Sequence, residues 1–512
     1  MWPSVYLIAL AYFALHMATA ARYGYFRDAL YYLACSHHLA FGYVDLPPLF
    51  PFIAWIARHT LGTSLYALIF WPALAGAVRI ILIAAFAREL GAKRFGVALA
   101  AALAATPAVW WVIDHQFAMN AFEPLLWTGC AYAILRMIQT QNPKLWLAFG
   151  AIVGLGMENK YSIAVFAFAL LLGLLLTRER KLLFNPWLFA GGAVALLVFL
   201  PNLIWNIQHH WPFLELMHNI RVTGKDIAYP PAAYIGQQIA MMNPFTLPFW
   251  LGGLLFYFFS RAAKSFRVFG WGFLLTFAFF LLSHGKDYYS GPAYPILLAA
   301  GALAVEQLLF RSREQQTSGQ SKWRTVLKPV CFAWLAIGIA LPLPLVLPVF
   351  PLDVFLRYQS HLQLQPKPTE RSFVGTALPQ YYADEMPWQE QVAAVARVYH
   401  ALPPGEQAKT AIFCDNYGQA SAIDFFGPRY GLPKAISGHQ NYFFWGPRNY
   451  TGELAILVGV PEADARREFA SVGVAATLDI PYAYFYETRP ILLGRGLSGN
   501  LQQIWPRVKN WR

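Results

Sequence analysis

Residues 22–49 run Arg22-Tyr23-Gly24-Tyr25-Phe26-Arg27-Asp28-Ala29-Leu30-Tyr31-Tyr32 and close with Gly42-Tyr43-Val44-Asp45-Leu46-Pro47-Pro48-Leu49. They follow an apolar run, residues 4–21, that approaches the roughly 20 residues needed to cross a bilayer. A polar, aromatic loop with two acids therefore sits where a chain would leave the membrane. A carboxylate beside a span is costly to keep and usually has a function, which makes Asp28 the candidate for chemistry.

The rest of the chain agrees with a membrane reading. Of 512 residues, 57% are apolar, 17% aromatic and 13% charged, with a mean hydropathy of +0.41. Soluble domains carry about 25% charged residues. Apolar runs predict spans at about 4–21, 65–87, 96–113, 118–136, 145–158, 161–177, 187–207, 232–257, 268–284, 291–310 and 329–350, about eleven in all. The chain thus reads as a polytopic α-helical membrane protein. The fifth run is short and ends in Glu158-Asn159-Lys160, as a tilted or broken helix would. The first lacks a basic leader and is kept as a span, despite Ala18-Thr19-Ala20. Cys35, Cys130, Cys331 and Cys414 are scattered and form no zinc or redox motif.

The net charge of +13 invites a nucleic-acid reading, but its distribution opposes one. Arg88, Lys93 and Arg94 follow the second run; Arg136 and Lys144 the fourth; Arg178, Arg180 and Lys181 the sixth. Arg261, Lys264 and Arg267 follow the eighth, and Arg311, Arg313, Lys322, Arg324 and Lys328 the tenth. Every second connection is basic, as the positive-inside rule requires. No nucleic-acid partner is expected. The N-terminus is placed inside and the C-terminus outside a cytoplasmic (inner) membrane.

Near residue 351 the composition changes, and no later apolar run is long enough to cross. Thr410-Ala411-Ile412-Phe413-Cys414 and Leu454-Ala455-Ile456-Leu457-Val458-Gly459-Val460 read as buried strands, and Pro387 to Ala401 has helical spacing. The expected division is a membrane domain over 1–350 and a soluble, extracytoplasmic α/β domain over 351–512.

Polar residues gather in the connections on the outer side. The first carries Asp28, His37, His38 and Asp45; the second Asp114, His115, Gln116, Asn120 and Glu123; the third Glu158, Asn159 and Lys160. The fourth carries Asn202, Asn206, His209, His210, His218, Arg221 and Lys225, and the fifth His284, Lys286, Asp287, Tyr288 and Tyr289. Interfacial decoration accounts for Trp and Tyr there, but not for acids at span ends such as Glu123.

Phe26-Arg27-Asp28-Ala29-Leu30-Tyr31-Tyr32 with Gly42-Tyr43-Val44-Asp45-Leu46-Pro47-Pro48 resembles the first-loop signature of the bacterial family 39 type glycosyltransferases. These are the protein mannosyltransferase-like and aminoarabinose transferase-like enzymes of the GT-C fold. Met119-Asn120-Ala121-Phe122-Glu123-Pro124, Glu158-Asn159-Lys160-Tyr161-Ser162, Pro201-Asn202-Leu203-Ile204-Trp205-Asn206 and Lys286-Asp287-Tyr288-Tyr289 extend the likeness over about residues 1–310. The family commonly has Glu after the first-loop Asp, whereas Ala29 stands here. A second acid is then not essential, unless Asp45 or Glu123 replaces it.

The resemblance implies transfer of a sugar from a polyprenyl-phosphate donor to a lipid, glycan or protein acceptor outside the membrane, by an inverting displacement. Asp28 would be the base. A carboxylate of ordinary pKa near 4 assists such a hydroxyl only as the new bond forms. Lys160, Lys286 and Arg221 would neutralise the donor phosphate. Tyr43, Asp45, Asn120, Glu123, Tyr288 and Tyr289 would contact sugar or acceptor. The pairs His37-His38 and His209-His210 point in different directions on a helix and chelate poorly alone, although Asp28 and Asp45 could join them; the resemblance implies no metal and no cofactor. A transporter or flippase of a lipid-linked glycan would show repeated halves, and none is visible. A lipid-linked oligosaccharide ligase or a catalytically silent scaffold would also be compatible with the same spans.

Overall fold

The computed structural model describes residues 2–310, 320–366, 370–371 and 376–512. Arg311 and Arg313, counted above with the inner basic residues, lie outside the described residues, as do the side chains of Lys322 and Arg324. The chain forms two compact units. One joins Met1–Arg22, Tyr66–Leu203 and Ala228–Pro351; the other joins Tyr23–Leu65, Ile204–Ile227 and Leu352–Arg512. The division is therefore not a single cut near residue 350, because segments 23–65 and 204–227 pack with the C-terminal part.

The first unit is helical. Leu65–Glu89, Pro186–Gln208 and Arg261–Leu282 are each long and apolar enough to cross a membrane, among the described residues. Pro231–Met241 with Pro244–Phe259, and Asp287–Ala293 with Pro295–Phe310, qualify as pairs bent by 89° and 54°. Pro3–Thr19, Arg94–Ala104, Leu145–Asn159, Ile163–Leu175 and Val326–Ala340 are apolar but only 10–17 residues long.

Of the expected spans that are broken, two show plainly the backbone chemistry that breaks them. The run 96–113 divides into Arg94–Ala104 and Ala108–Ile113, because Pro107 lacks an N–H and keeps the preceding residue off helical geometry. The run 232–257 divides at Asn243-Pro244. Asn243 adopts φ +68°. Its buried side chain donates to the carbonyls of Gly338 (2.7 Å) and Thr106 (3.3 Å) and accepts from the Phe245 N–H (3.1 Å), which replaces the backbone bonds lost at the bend.

Small residues and paired charges hold this unit together. A Cβ on Gly253 would collide with the Leu297 carbonyl, and one on Gly301 with that of Phe249, so helices Leu247–Phe259 and Pro295–Phe310 touch backbone to backbone. Arg79 turns into the bundle. Its guanidinium pairs with fully buried Asp114 at 2.8 Å and lies 4.3 Å from the Trp110 ring centre, while the Tyr12 hydroxyl donates to the same carboxylate at 2.8 Å. Glu306 is also buried, and accepts the free N–H groups of Lys93 (2.6 Å) and Gly96 (2.7 Å) where helix Arg94–Ala104 starts.

The second unit is built on a four-stranded sheet in the order β1-β2-β4-β3. The strands are β1 (Thr410–Cys414), β2 (Leu454–Val458), β3 (Phe469–Ala476) and β4 (Ile491–Leu497). β1 and β2 are parallel, with Thr410 opposite Leu454; the other two pairings are antiparallel. Helix Trp388–His400 is where its spacing put it. β3 and β4 escaped the sequence reading because β3 is mostly exposed small residues and β4 is interrupted by glycines. The stretch read as the first outer loop holds two helices, Arg27–Ser36 and Leu49–Thr60. Arg27–Ser36 buries eight consecutive residues, Ala29 to Ser36, and packs on helix Tyr417–Phe426.

Candidate functional site

In the second unit, Asp28 lies in the first turn of helix Arg27–Ser36, where a negative charge complements the helix dipole. Its Oδ1 accepts the Tyr417 hydroxyl at 2.7 Å. Tyr417 is the first residue of helix Tyr417–Phe426, whose start is capped by Asn416 Oδ1 accepting the Gln419 N–H at 3.1 Å. The Tyr417 ring packs against Tyr31 (4.6 Å) and His439 (5.1 Å), with the Arg27 guanidinium 5.3 Å from its centre. Arg27 also approaches Asp384 at 3.7 Å and donates to the Tyr486 hydroxyl at 3.1 Å. Burial pushes Asp384 up to about 7 against the pull of Arg27.

Asp45 joins the same cluster. Its Oδ1 accepts the Tyr31 hydroxyl at 3.0 Å. Burial pushes it up to about 7; the Tyr31 hydrogen bond opposes the rise and the charge of Asp28 adds to it. Tyr43 serves its own loop. Its buried hydroxyl donates toward the carbonyls of His38 (3.2 Å) and Cys35 (3.4 Å) and accepts the Ala40 N–H (3.1 Å).

A cavity of about 500 Å³ opens beside Tyr417. Asp415, Asn416 and Tyr417, which line it, directly follow β1, so it lies off the carboxyl end of a parallel strand, where open α/β sheets place ligands. Among the described residues, Arg27, Lys225, Arg371, Arg489 and Arg512 line it, with Glu370 and Asp415 as the acids. His439, also in the wall, is driven down to about 3, mainly by burial. Neutral His439 takes the Tyr417 N–H on Nδ1 (3.1 Å), which leaves its proton on Nε2, 3.2 Å from the Arg512 carbonyl. Arg221 is exposed on helix Pro212–Thr223 and does not line this cavity, whereas Lys225 does.

The first unit gathers a separate set. Lys160 Nζ lies 2.8 Å from Glu123 Oε2 and 2.9 Å from Asn120 Oδ1, and 4.8 and 5.3 Å from the ring centres of Tyr289 and Tyr288. Ser162 donates to the other Glu123 oxygen. Asn159 Nδ2 donates to the Met119 carbonyl at 3.0 Å, which ties the end of helix Leu145–Asn159 to the turn bearing Asn120. The Tyr288-Tyr289 turn is pinned by Gln238, whose amide donates to the Asp287 carbonyl (2.8 Å) and accepts the Ser290 hydroxyl (2.6 Å). Lys286 precedes this turn and its charge acts on Asp287. Five of the sequence candidates, Asn120, Glu123, Lys160, Tyr288 and Tyr289, thus share one cluster; Asp28, Asp45, Tyr43 and Arg221 belong to the other unit.

Sequence reasoning missed Tyr417, Arg27, Asp384 and His439. The signal for Tyr417 was present: a polar turn, Asp415-Asn416-Tyr417, between an apolar strand and a helix. It could not reveal that the turn packs on a segment nearly 400 residues earlier.

Residues 45–205 match the family described as dolichyl-phosphate-mannose-protein mannosyltransferase. A lipid A galacturonosyltransferase, RgtD, of Rhizobium johnstonii is 30% identical over 189 residues, which are 36% of this chain and 39% of that relative. The match therefore spans well under half of RgtD. In fold, the chain is similar to ArnT from Cupriavidus metallidurans bound to undecaprenyl phosphate, with a TM-score of 0.58 at 15% identity over 95% of this chain and 97% of ArnT. It is also similar to the Archaeoglobus fulgidus oligosaccharyltransferase, with a TM-score of 0.50 at 13% identity over 81% of this chain and 62% of that one. The fold is the GT-C fold shared with ArnT, and over residues 45–205 the chain resembles the dolichyl-phosphate-mannose-protein mannosyltransferase family.

Proposed function

We propose that this protein is a multi-pass membrane glycosyltransferase that moves a sugar from a polyprenyl-phosphate donor to an extracytoplasmic acceptor. The family match over residues 45–205, the RgtD likeness and the fold shared with an undecaprenyl-phosphate-bound ArnT support the reaction class. The observation that carries the reading for this chain is the 2.7 Å bond from Tyr417 to Asp28, which leaves the carboxylate oriented beside a basic cavity. Asp28 accepts the acceptor's hydroxyl proton as the glycosidic bond forms, and the donor phosphate leaves with inversion. Asp45 is the second acid that Ala29 does not supply, its pKa pushed up by burial to about 7.

Lys160 and Lys286 neutralise the leaving phosphate, and Arg221 is a third candidate on its exposed helix. Asn120, Glu123, Tyr288 and Tyr289 contact the sugar; Tyr43 supports the loop that carries Asp45. The cavity lined by five cations and two acids suits an acceptor bearing phosphate or carboxylate. No cofactor takes part. About eleven helical passes and an outer α/β domain in the cytoplasmic membrane complete the reading, with basic connections inside.

The test is transfer from labelled polyprenyl-phosphate sugars to a total envelope lipid extract by the purified full chain. Asp28→Asn should abolish transfer while leaving donor binding intact. Normal turnover by that variant would remove Asp28 as the base. Saturable binding of lipid-linked glycan with no transfer from any donor would favour the flippase reading.

A further inference from the structure

We propose that the membrane unit binds an anionic phospholipid, headgroup first, in a second basic cavity on the face that carries its topology charges. This cavity measures about 520 Å³ and lies at the ends of three helices. Arg178 follows helix Ile163–Leu175, Phe258 and Phe259 close helix Leu247–Phe259, and Lys264, Arg267 and Trp271 come from the next stretch. The site is independent of the proposed transfer reaction, and no residue given a role in that reaction lines it.

The simple account of inner-face cations is that each reaches separately for the headgroup layer. Three observations argue for a built site instead. The cations come from different connections, after the sixth and eighth runs, yet converge on one concavity that no carboxylate lines among the described residues. Arg267 is held in place: its Nη2 donates to the Phe258 carbonyl at 2.9 Å. The remaining wall is aromatic, with Trp271 set edge-on to Phe258 at 5.3 Å and Phe259 left 79% exposed. A fixed cationic end beside an apolar wall matches a molecule with a phosphate at one end and hydrocarbon at the other. A free phosphate would leave the aromatic wall wet, and a zwitterionic lipid would bring its own cation toward three others. Basic pockets between membrane helices on this face are suited to acidic headgroups.

The experiment is native mass spectrometry of the delipidated full chain, titrated with phosphatidylglycerol, phosphatidylcholine or inorganic phosphate. Phosphatidylglycerol adducts should persist in the wild type and outlast both others. Arg178→Gln with Lys264→Gln removes two exposed charges and should weaken phosphatidylglycerol retention by about thirtyfold, with the melting temperature of the delipidated chain unchanged. Lys264→Glu alone, also at an exposed position, should lose the lipid as well. Equal retention by wild type and Lys264→Glu, equal retention of the two phospholipids, or preferred retention of inorganic phosphate would each overturn the proposal.

Discussion

Replacing Lys160 by methionine keeps most of the side chain's volume and deletes the one positive charge bonded to Glu123. The two atoms are 2.8 Å apart, and the side chains are 14% and 4% exposed. At an effective dielectric near 20 their attraction is about 6 kcal/mol at this distance, before either ion is desolvated. Desolvation takes back several kcal/mol, so the net loss on truncation is about 3 kcal/mol, the low end for breaking a buried pair. The variant should melt about 3 °C lower than the wild type. Glu123→Gln should cost less, about 1–2 kcal/mol, because the more exposed lysine partly rehydrates. With both charges gone, the double variant should return to within about 1 kcal/mol of wild type, since neutral groups of similar size often replace a buried pair without loss. Thermal unfolding of the four purified full-length proteins in detergent would then give a coupling of about 3–5 kcal/mol. Additive single effects would refute the pairing. The same cycle needs no knowledge of the sugar, and it bears on mechanism. If Lys160 must leave Glu123 to meet the donor phosphate, Glu123→Gln should bind undecaprenyl phosphate more tightly than wild type.

Tyr417→Phe should lower kcat by about 10–100-fold, as loss of one hydrogen bond to a charged group predicts, with the donor KM and the melting temperature little changed; an unaltered kcat would detach Tyr417 from the base. Asp45 has its pKa raised in the folded chain to about 7. The stability tied to it is therefore present at low pH and lost as pH climbs from about 4 through 7. Asp45→Asn should flatten the melting temperature across that window and gain on the wild type above it, and parallel pH curves would count against the burial of Asp45. Gly301→Val should destabilise by about 3 kcal/mol, because a Cβ there has only the Phe249 backbone to enter; a wild-type melting temperature would contradict the close approach of the two helices.

Much was legible in the linear chain because it depends on composition and local period. A bilayer demands long apolar runs, so the helical membrane class follows from hydropathy alone. Strands β1 and β2 were visible as buried apolar runs bounded by turn residues. Asn120, Glu123, Lys160, Tyr288 and Tyr289 were each singled out, among other polar residues of the outer connections, because acids and amides at span ends are expensive unless they have partners; that these five meet in one cluster was not legible. Less was legible where local signals conflict with tertiary context. Pro107 and Asn243-Pro244 break runs that hydropathy scores as continuous, and Arg79 could only be assigned once Asp114 was seen to meet it at 2.8 Å.

By itself, then, the sequence determined the fold class, the family resemblance and the identity of Asp28 as a carboxylate with a cost to justify. Those properties reside in hydrophobic content and in motifs a few residues long. Only the tertiary structure decided what surrounds Asp28. Tyr417, His439 and Asp384 come from the far end of the chain, and the loop of residues 23–65 packs with that end rather than with the helices that flank it in sequence. Hydrogen-bond and ion partners separated by hundreds of residues leave no periodic or compositional trace. They are chosen by which buried polar groups must satisfy one another once the backbone has closed.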